Sequence, residues 1–394
     1  MTLNPLTIDR ISGVLILGAI LLALVAANSP LASFYTAIHH VPIRIGLMPY
    51  QIDEPLIVWI NQGLMTIFFV LVGVEIKYEL VEGHLSSLRK AALPAIAAVG
   101  GMILPALIYV AFAASAGDAL RGWAIPMATD IALALALLSL LGHRVPVGLK
   151  AFLMALAIFD DLGAVAIIAV FYGEEIQVLP MAIAVLTFGV MVALNRTGHA
   201  RPLPLALLGS VLWIALFESG VEAALAGVLI AAVVPNGVDH DCRKSPLLRT
   251  QRLLHPWASL LIVPIFGFFN AGVTIEVETL RNVSGGVSLG VFLGLFLGKQ
   301  MGVLGATWCA TKLDIGVLPK GVGFRHIYGA GLLAGVGFTM SLFVTALAFD
   351  TPALAANARL AILAASSLSA IIGLVVLWGA KEQADTHQSQ RQGG

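Results

Sequence analysis

The sequence predicts an all-α polytopic membrane protein: twelve transmembrane helices, inverted-topology repeats in segments 3–5 and 10–12, and interrupted helices 4 and 11. Three observations carry that prediction. Hydrophobic residues make up 59% of the 394-residue chain and charged residues only 11%, against about 25% charged in soluble domains, so lipid must solvate the apolar excess. Apolar runs of about 20 residues, the length that crosses a hydrocarbon core, recur from end to end. Proline and glycine then interrupt two of those runs seven segments apart. The balance of 22 Lys+Arg against 22 Asp+Glu also excludes a basic nucleic-acid binder and an acidic disordered chain. Cys242 and Cys309 lie far apart and offer neither a disulfide framework nor a zinc site.

The runs are 11–28, 55–76, 91–114, 122–141, 147–171, 179–195, 203–217, 220–235, 255–273, 286–308, 326–349 and 354–378. The first reads as a retained helix rather than a signal peptide, because eleven more follow it. Runs 203–217 and 220–235 are short enough to be tilted or broken. Residues 1–380 read as one transmembrane domain and 381–394 as a polar cytoplasmic tail. In the outer connection 29–54, the stretch 41–53 alternates loosely, as a small surface hairpin does.

Loop bases fix the orientation. With the N-terminus cytoplasmic, seventeen fall on the cytoplasmic side and only Arg44, Arg121, Arg281 and Arg359 on the other, which by the positive-inside rule makes both termini cytoplasmic. Loop acids divide nine to nine, leaving Asp130, Asp160, Asp161 and Glu222 within spans, along with one base, Lys299. Glu222 falls near the outer end of its segment and is expected to snorkel to water.

Asp130, Asp160, Asp161 and Lys299 are mid-span, where each such group costs about 2.5–3.5 kcal/mol to insert. Groups of this kind face a hydrated cavity or one another and mark an ion or proton pathway; the structural alternative is a buried ion pair such as Asp160–Lys299 that only fixes helix register. Asp160 and Asp161 are neighbours, so on a helix they point about 100° apart. One can bind a cation while the other pairs with a base. Asp130 follows Thr129, whose hydroxyl adds a hard oxygen donor, and a set of oxygens without Cys or His suits a small hard cation. A buried carboxylate can hold a proton or a cation but not both comfortably, and that competition is sufficient for exchange.

The Asp130 segment carries Gly122 and Pro126; the segment 326–349 carries Gly329, Gly331, Gly335 and Gly337 before Thr339-Met340-Ser341. Proline cannot continue the helical hydrogen-bond ladder. These are the fourth and eleventh segments, and because their separation is odd, segments 3–5 and 10–12 have opposite topology. Interrupted helices at matching places in inverted repeats point to a midplane transport site.

These residues resemble the NhaA-type sodium/proton antiporters. That family is one of those from which the inverted-repeat rule was drawn, so the two lines of reasoning are not independent. The resemblance runs from about residue 11 to 378. Its most specific stretches are Gly122-Trp123-Ala124-Ile125-Pro126 with Ala128-Thr129-Asp130-Ile131-Ala132, and Phe152 to Ile158 with Asp160-Asp161-Leu162-Gly163-Ala164. Others are Leu71 to Lys77, His255-Pro256-Trp257, Phe269 to Val273, Gly298-Lys299 and Gly335 to Ser341. The resemblance implies electrogenic export of sodium or lithium for more protons than cations, without a cofactor, in the bacterial inner membrane, serving pH homeostasis. It implies Asp160 and Asp161 at the cation and proton site, with Asp161 the principal sodium ligand and Thr129 a further one. Lys299 matches a lysine that pairs with one of those carboxylates or compensates helix ends, and Asp130 falls where the interrupted helices cross. It also implies membrane lipid around the chain and a homodimer joined through the hairpin.

The sequence departs from the family pattern near the cytoplasmic face. Where members read Lys-Arg-Leu-Glu-His, this chain has Leu248-Arg249-Thr250-Gln251-Arg252 before His255. Tyr78 replaces a usual arginine between Glu75 and Glu79, Glu222 stands where histidine is common, and Gln300 follows Lys299 in place of proline. Glu75, Glu79, Gln251 and His255 are the candidates for a pH-responsive funnel, and the departures imply a shifted or blunted pH profile.

Two other classes are weighed. A sodium-coupled organic-solute symporter could share the broken helices but needs a larger pocket. An intramembrane aspartyl protease would use two aspartates as an acid/base dyad. Asp160 and Asp161 are adjacent on one helix, no G-x-G-D stretch supplies a second, and Lys299 has no place in that chemistry. The sequence therefore reads as a transporter rather than an enzyme, with no nucleic-acid partner.

Overall fold

In the computed structural model, residues 5–47, 50–83, 87–114, 117–173, 175–198, 201–236, 245–275 and 284–380 are described. The polar tail 381–394, Cys242 and Arg281 lie outside the described residues. The chain begins with α1 (Pro5–Ala27) and α2 (Ala32–His39), bent by 113° at the Asn28-Ser29-Pro30-Leu31 turn. Strands β1 (Pro42–Leu47) and β2 (Tyr50–Pro55) pair antiparallel, with Arg44 opposite Asp53 and their side chains 2.8 Å apart. The helices that follow are α3 (Leu56–Val81) and α4 (Leu88–Ala113), then a 3₁₀ helix (Gly117–Met127), α5 (Ile131–Leu140), α6 (Val147–Phe171) and α7 (Val178–Arg196). Next come α8 (Pro202–Glu218), α9 (Leu225–Val233), α10 (Pro246–Ala271), α11 (Gly286–Lys312), α12 (Phe324–Ala334), α13 (Phe338–Ala348) and α14 (Pro352–Trp378).

Among the described residues, seven helices are long and apolar enough to cross a membrane, and ten spans result if each of three bent pairs is one span. The expected runs 203–217 and 220–235 fall on α8, of 17 residues, and α9, of nine. Nine residues rise only about 14 Å, half a hydrocarbon core. The protein is thus a mostly helical, multi-span membrane protein.

The fold divides into two compact units. In the unit formed by 14–83 and 165–275, α3 and α9 approach closely through Gly73 and Gly227. A Cβ on Gly73 would lie 2.6 Å from that of Ala231, and one on Gly227 would run into the Thr66 carbonyl. That contact draws the turn before α9 inward, and it overturns one expectation. Glu222 lies beside a helix end, as expected, but does not snorkel to the surface. It precedes α9 and is buried, because close packing of α3 and α9 leaves its short turn no route to the surface.

The other unit, from 1–13, 84–164 and 276–394, holds α4, α5, most of α6 and α11 to α14. Pro105 interrupts the ladder of α4, and Gly298 of α11 packs on it. A Cβ at Gly298 would sit 2.8 Å from the Pro105 Cα, so only glycine allows this approach. The next residue is Lys299.

Candidate ion-binding site

The site is built where two helices fail. The 3₁₀ helix ends at Met127, residues 128–130 are not helical, and α5 restarts at a 41° bend. Asp130 is the N-cap of α5, in extended conformation, and its Oδ1 accepts the Leu133 N–H at 2.9 Å. The second break separates α12 from α13 at Gly335-Val336-Gly337, with a 45° bend.

The two breaks are bonded to each other. The Asp130 N–H donates to the Val336 carbonyl at 2.7 Å, the Thr129 hydroxyl lies 2.8 Å from the Ala334 carbonyl, and the Ser341 hydroxyl donates to the Ile125 carbonyl at 2.9 Å. These bonds bring residues 125–130 and 334–341 together at one crossing. Asp130 Oδ2 accepts from the Thr339 N–H at 3.1 Å and the Thr339 hydroxyl at 2.5 Å. One carboxylate therefore serves the N-termini of both α5 and α13, whose free N–H groups and positive dipole ends favour an anion there.

Asp160, Asp161, Thr129 and Lys299 are all buried, Lys299 with no exposed surface. Lys299 Nζ is 2.5 Å from Asp160 Oδ2, and the Thr129 hydroxyl is 2.8 Å from the same oxygen. The sequence left open which aspartate pairs with the lysine; the structure gives Asp160. The lysine follows a π-helical turn, Gly294–Gly298, a local widening of the helix that is frequent at functional positions. Gln300, the departure from proline, donates its side-chain amide to the Phe296 carbonyl of that turn at 2.5 Å. The Asp160 Oδ1 atom is buried and meets no hydrogen-bond donor among the described residues. Asp161 occupies the next position of α6 and is buried as well.

Thr129 has one hydroxyl hydrogen and two acceptors, Asp160 Oδ2 and the Ala334 carbonyl. It can serve only one at a time. An ionised Asp160 draws the hydrogen, since charge-assisted hydrogen bonds are about twice as strong as neutral ones. A neutral Asp160 leaves it to the break.

The remaining candidates lie in the other unit. Gln251 Nε2 donates to Glu75 Oε1 at 3.4 Å, linking α10 to α3. Glu79 is buried at the end of α3, and His255 sits on α10 ahead of Pro256. Tyr78 packs beside Val74, Ala231, Val234 and Leu247. Sequence reasoning gave Lys77 no role beyond a cytoplasmic base at the end of the Leu71–Lys77 stretch, yet its ammonium caps the end of α9 through the Ala232 and Val234 carbonyls at 2.7 and 2.6 Å. A lysine directly after the apolar run 55–76 was the available signal. Thr339 was visible only as part of a motif, and its bond to Asp130 had no signal.

A sequence profile of the family described as Na+/H+ antiporter 1 matches residues 4–377. The chain belongs to that family. Among its relatives, the Na(+)/H(+) antiporter NhaA of Rhodospirillum rubrum is 49% identical over 380 residues, covering 94% of this chain and 95% of the relative. The protein of the same description from Shewanella frigidimarina is 46% identical, with 97% of each chain covered. That from Aeromonas hydrophila is 45% identical over 98% of this chain and 97% of its own. These Na+/H+ antiporter family relatives are named as transporters, and the chain is a transporter of their class rather than an enzyme.

Proposed function

We propose that the chain exports sodium, and lithium in its place, in exchange for a larger number of protons, by competition of cation and protons at Asp160 and Asp161. The observation that carries this is Asp160 itself. Its Oδ2 is paired with the Lys299 ammonium and hydrogen-bonded by the Thr129 hydroxyl, while its buried Oδ1 meets no donor among the described residues. A buried acceptor without a partner costs about 1–3 kcal/mol, and more when charged. A proton on the carboxylate or a sodium ion beside it removes that cost, and each excludes the other. Asp161 supplies the second carboxylate and acts as principal ligand, with Thr129 as an adjacent hydroxyl oxygen. Asp130 holds the crossing together through the donors of two helix ends.

Alternating access fits a site hung on two broken helices. The crossing supports inverted repeats of segments 3–5 and 10–12 within twelve spans, since each of the two breaks ends in a helix start that Asp130 serves. Contacts within the unit keep apart the two sides that the loop bases define. Arg121 and Asp350, both expected outside, are 3.7 Å apart, and Arg144 stacks on Trp378, both expected inside. Exchange of unequal charge is driven by the membrane potential, about 2.3 kcal/mol per net charge per 100 mV. This reading places one transmembrane domain, residues 1–380, in a bacterial inner membrane, as a homodimer joined through β1 and β2, working in sodium and pH homeostasis. Everted vesicles test it: added sodium or lithium, but not an organic solute, must release protons from the acidified lumen.

A further inference from the structure

The N-terminus of α13 is held from two sides. On one side Asp130 Oδ2 takes the Thr339 N–H. On the other, the fully buried Ser366 of α14 accepts the Gly337 N–H at 3.1 Å and the Phe338 N–H at 3.3 Å. One uncharged hydroxyl oxygen thus takes two of the N–H groups that a helix start leaves without a partner. Gly337 and Phe338 directly follow Val336, whose carbonyl receives the Asp130 N–H.

We propose that Ser366 is a positioning residue for ion exchange: it fastens the start of α13 to the continuous helix α14 and so sets where Thr339 meets Asp130 and where Ala334 meets Thr129. Its bonds are to backbone, from a neutral oxygen, so they persist whatever charge Asp130 and Asp160 carry. Ser366 is the fixed end of the crossing and the carboxylates are the responsive end. Without its hydroxyl, two buried N–H groups lose their acceptor and the break shifts toward Asp130, which already accepts the neighbouring Thr339 N–H. That moves the Ala334 carbonyl, and with it the Thr129 hydroxyl beside Asp160.

The inference rests on exchange at Asp160 and Asp161, and its test separates the two. In full-length protein, amide hydrogen exchange of 335–341 is compared with apparent sodium KM and the pH profile in proteoliposomes. Ser366→Ala is expected to speed exchange at Gly337 and Phe338, raise KM about tenfold (the scale of one buried hydrogen bond) and displace the pH profile. Ser366→Thr restores all three, and Ser369→Ala, whose hydroxyl meets no donor among the described residues, changes none. Unchanged amide exchange in Ser366→Ala overturns the proposal, as does faster exchange with wild-type KM and pH profile, or equal impairment of Ser366→Thr. If Ser366→Ala fails to fold, Ser366→Cys, of similar volume and weaker acceptor strength, is read by the same criteria. Wild-type transport by Asp161→Asn would instead defeat the exchange reading, while the amide-exchange result still judges the fastening itself.

Discussion

The backbone N–H of Asp130 donates to the carbonyl of Val336 at 2.7 Å, joining two broken helices at their breaks. The groups that each helix loses at its interruption are supplied by the other, or by Asp130, Thr339 and Ser366. Irregular backbone at this depth is tolerable only where such partners exist. The crossing is therefore a single unit, and changes to its side chains act on both segments.

Lys299→Met should destabilise the folded protein by about 3–5 kcal/mol, because it leaves a buried carboxylate unpaired. Thermal unfolding in detergent measures this. Adding Asp160→Asn to Lys299→Met should recover most of the loss but no transport, separating the structural role of the pair from its functional one. Equal stability of single and double variants would argue against the pairing of Lys299 with Asp160.

Thr129→Val removes a hydroxyl shared between Asp160 and the Ala334 carbonyl. The expected cost is about 1–3 kcal/mol in stability, with a raised apparent sodium KM. Thr129→Ser keeps the oxygen and should transport near the wild-type level. Parallel uptake curves for the three proteins decide it.

Gly298→Ala should reduce transport although it alters no polar group. The added methyl meets the Pro105 backbone at 2.8 Å, and relieving that contact costs about 1–3 kcal/mol and displaces Lys299, the next residue. The effect should appear as lower stability together with weaker sodium dependence. Gly305→Ala, further along α11 where an added Cβ meets nothing within 4 Å, is the control.

At the start of α10, Gln251 and Glu75 form a neutral-to-acid contact at 3.4 Å. Gln251→Glu would set two carboxylates there. Their repulsion is absent when either is protonated and present when both are ionised, so stability of the variant should fall as pH rises, and its transport should depend on pH more steeply than wild type. A pH series of melting temperatures and transport rates checks both, and identical curves would remove Gln251 as the cause of a blunted response.

Much of the site was legible because lipid makes charge conspicuous. Asp130, Asp160, Asp161 and Lys299 stood out in apolar runs, and Pro126 with Gly335 and Gly337 marked the breaks. Pairing was not legible. Nothing in one sequence tells that Lys299 chooses Asp160 over Asp161, since neighbours differ only by about 100° of helix rotation. The burial of Glu222 was not legible because it depends on the approach of α3 to α9, a tertiary event. Ser366 resembles any helix serine until its neighbour's broken backbone is in view. Spans were likewise hard to count: α9 has the composition of a membrane helix but not the length.

The most direct measurement is sodium affinity of the purified protein as a function of pH, by calorimetry in detergent with no gradient present. Competition at Asp160 and Asp161 predicts an apparent Kd that rises about tenfold for each unit that pH falls, per proton displaced, on the acid side of the titration, and protons released on sodium addition. Asp160→Asn and Asp161→Asn should each abolish that release. An apparent Kd independent of pH, with no proton release from the wild-type protein, would contradict exchange at these carboxylates.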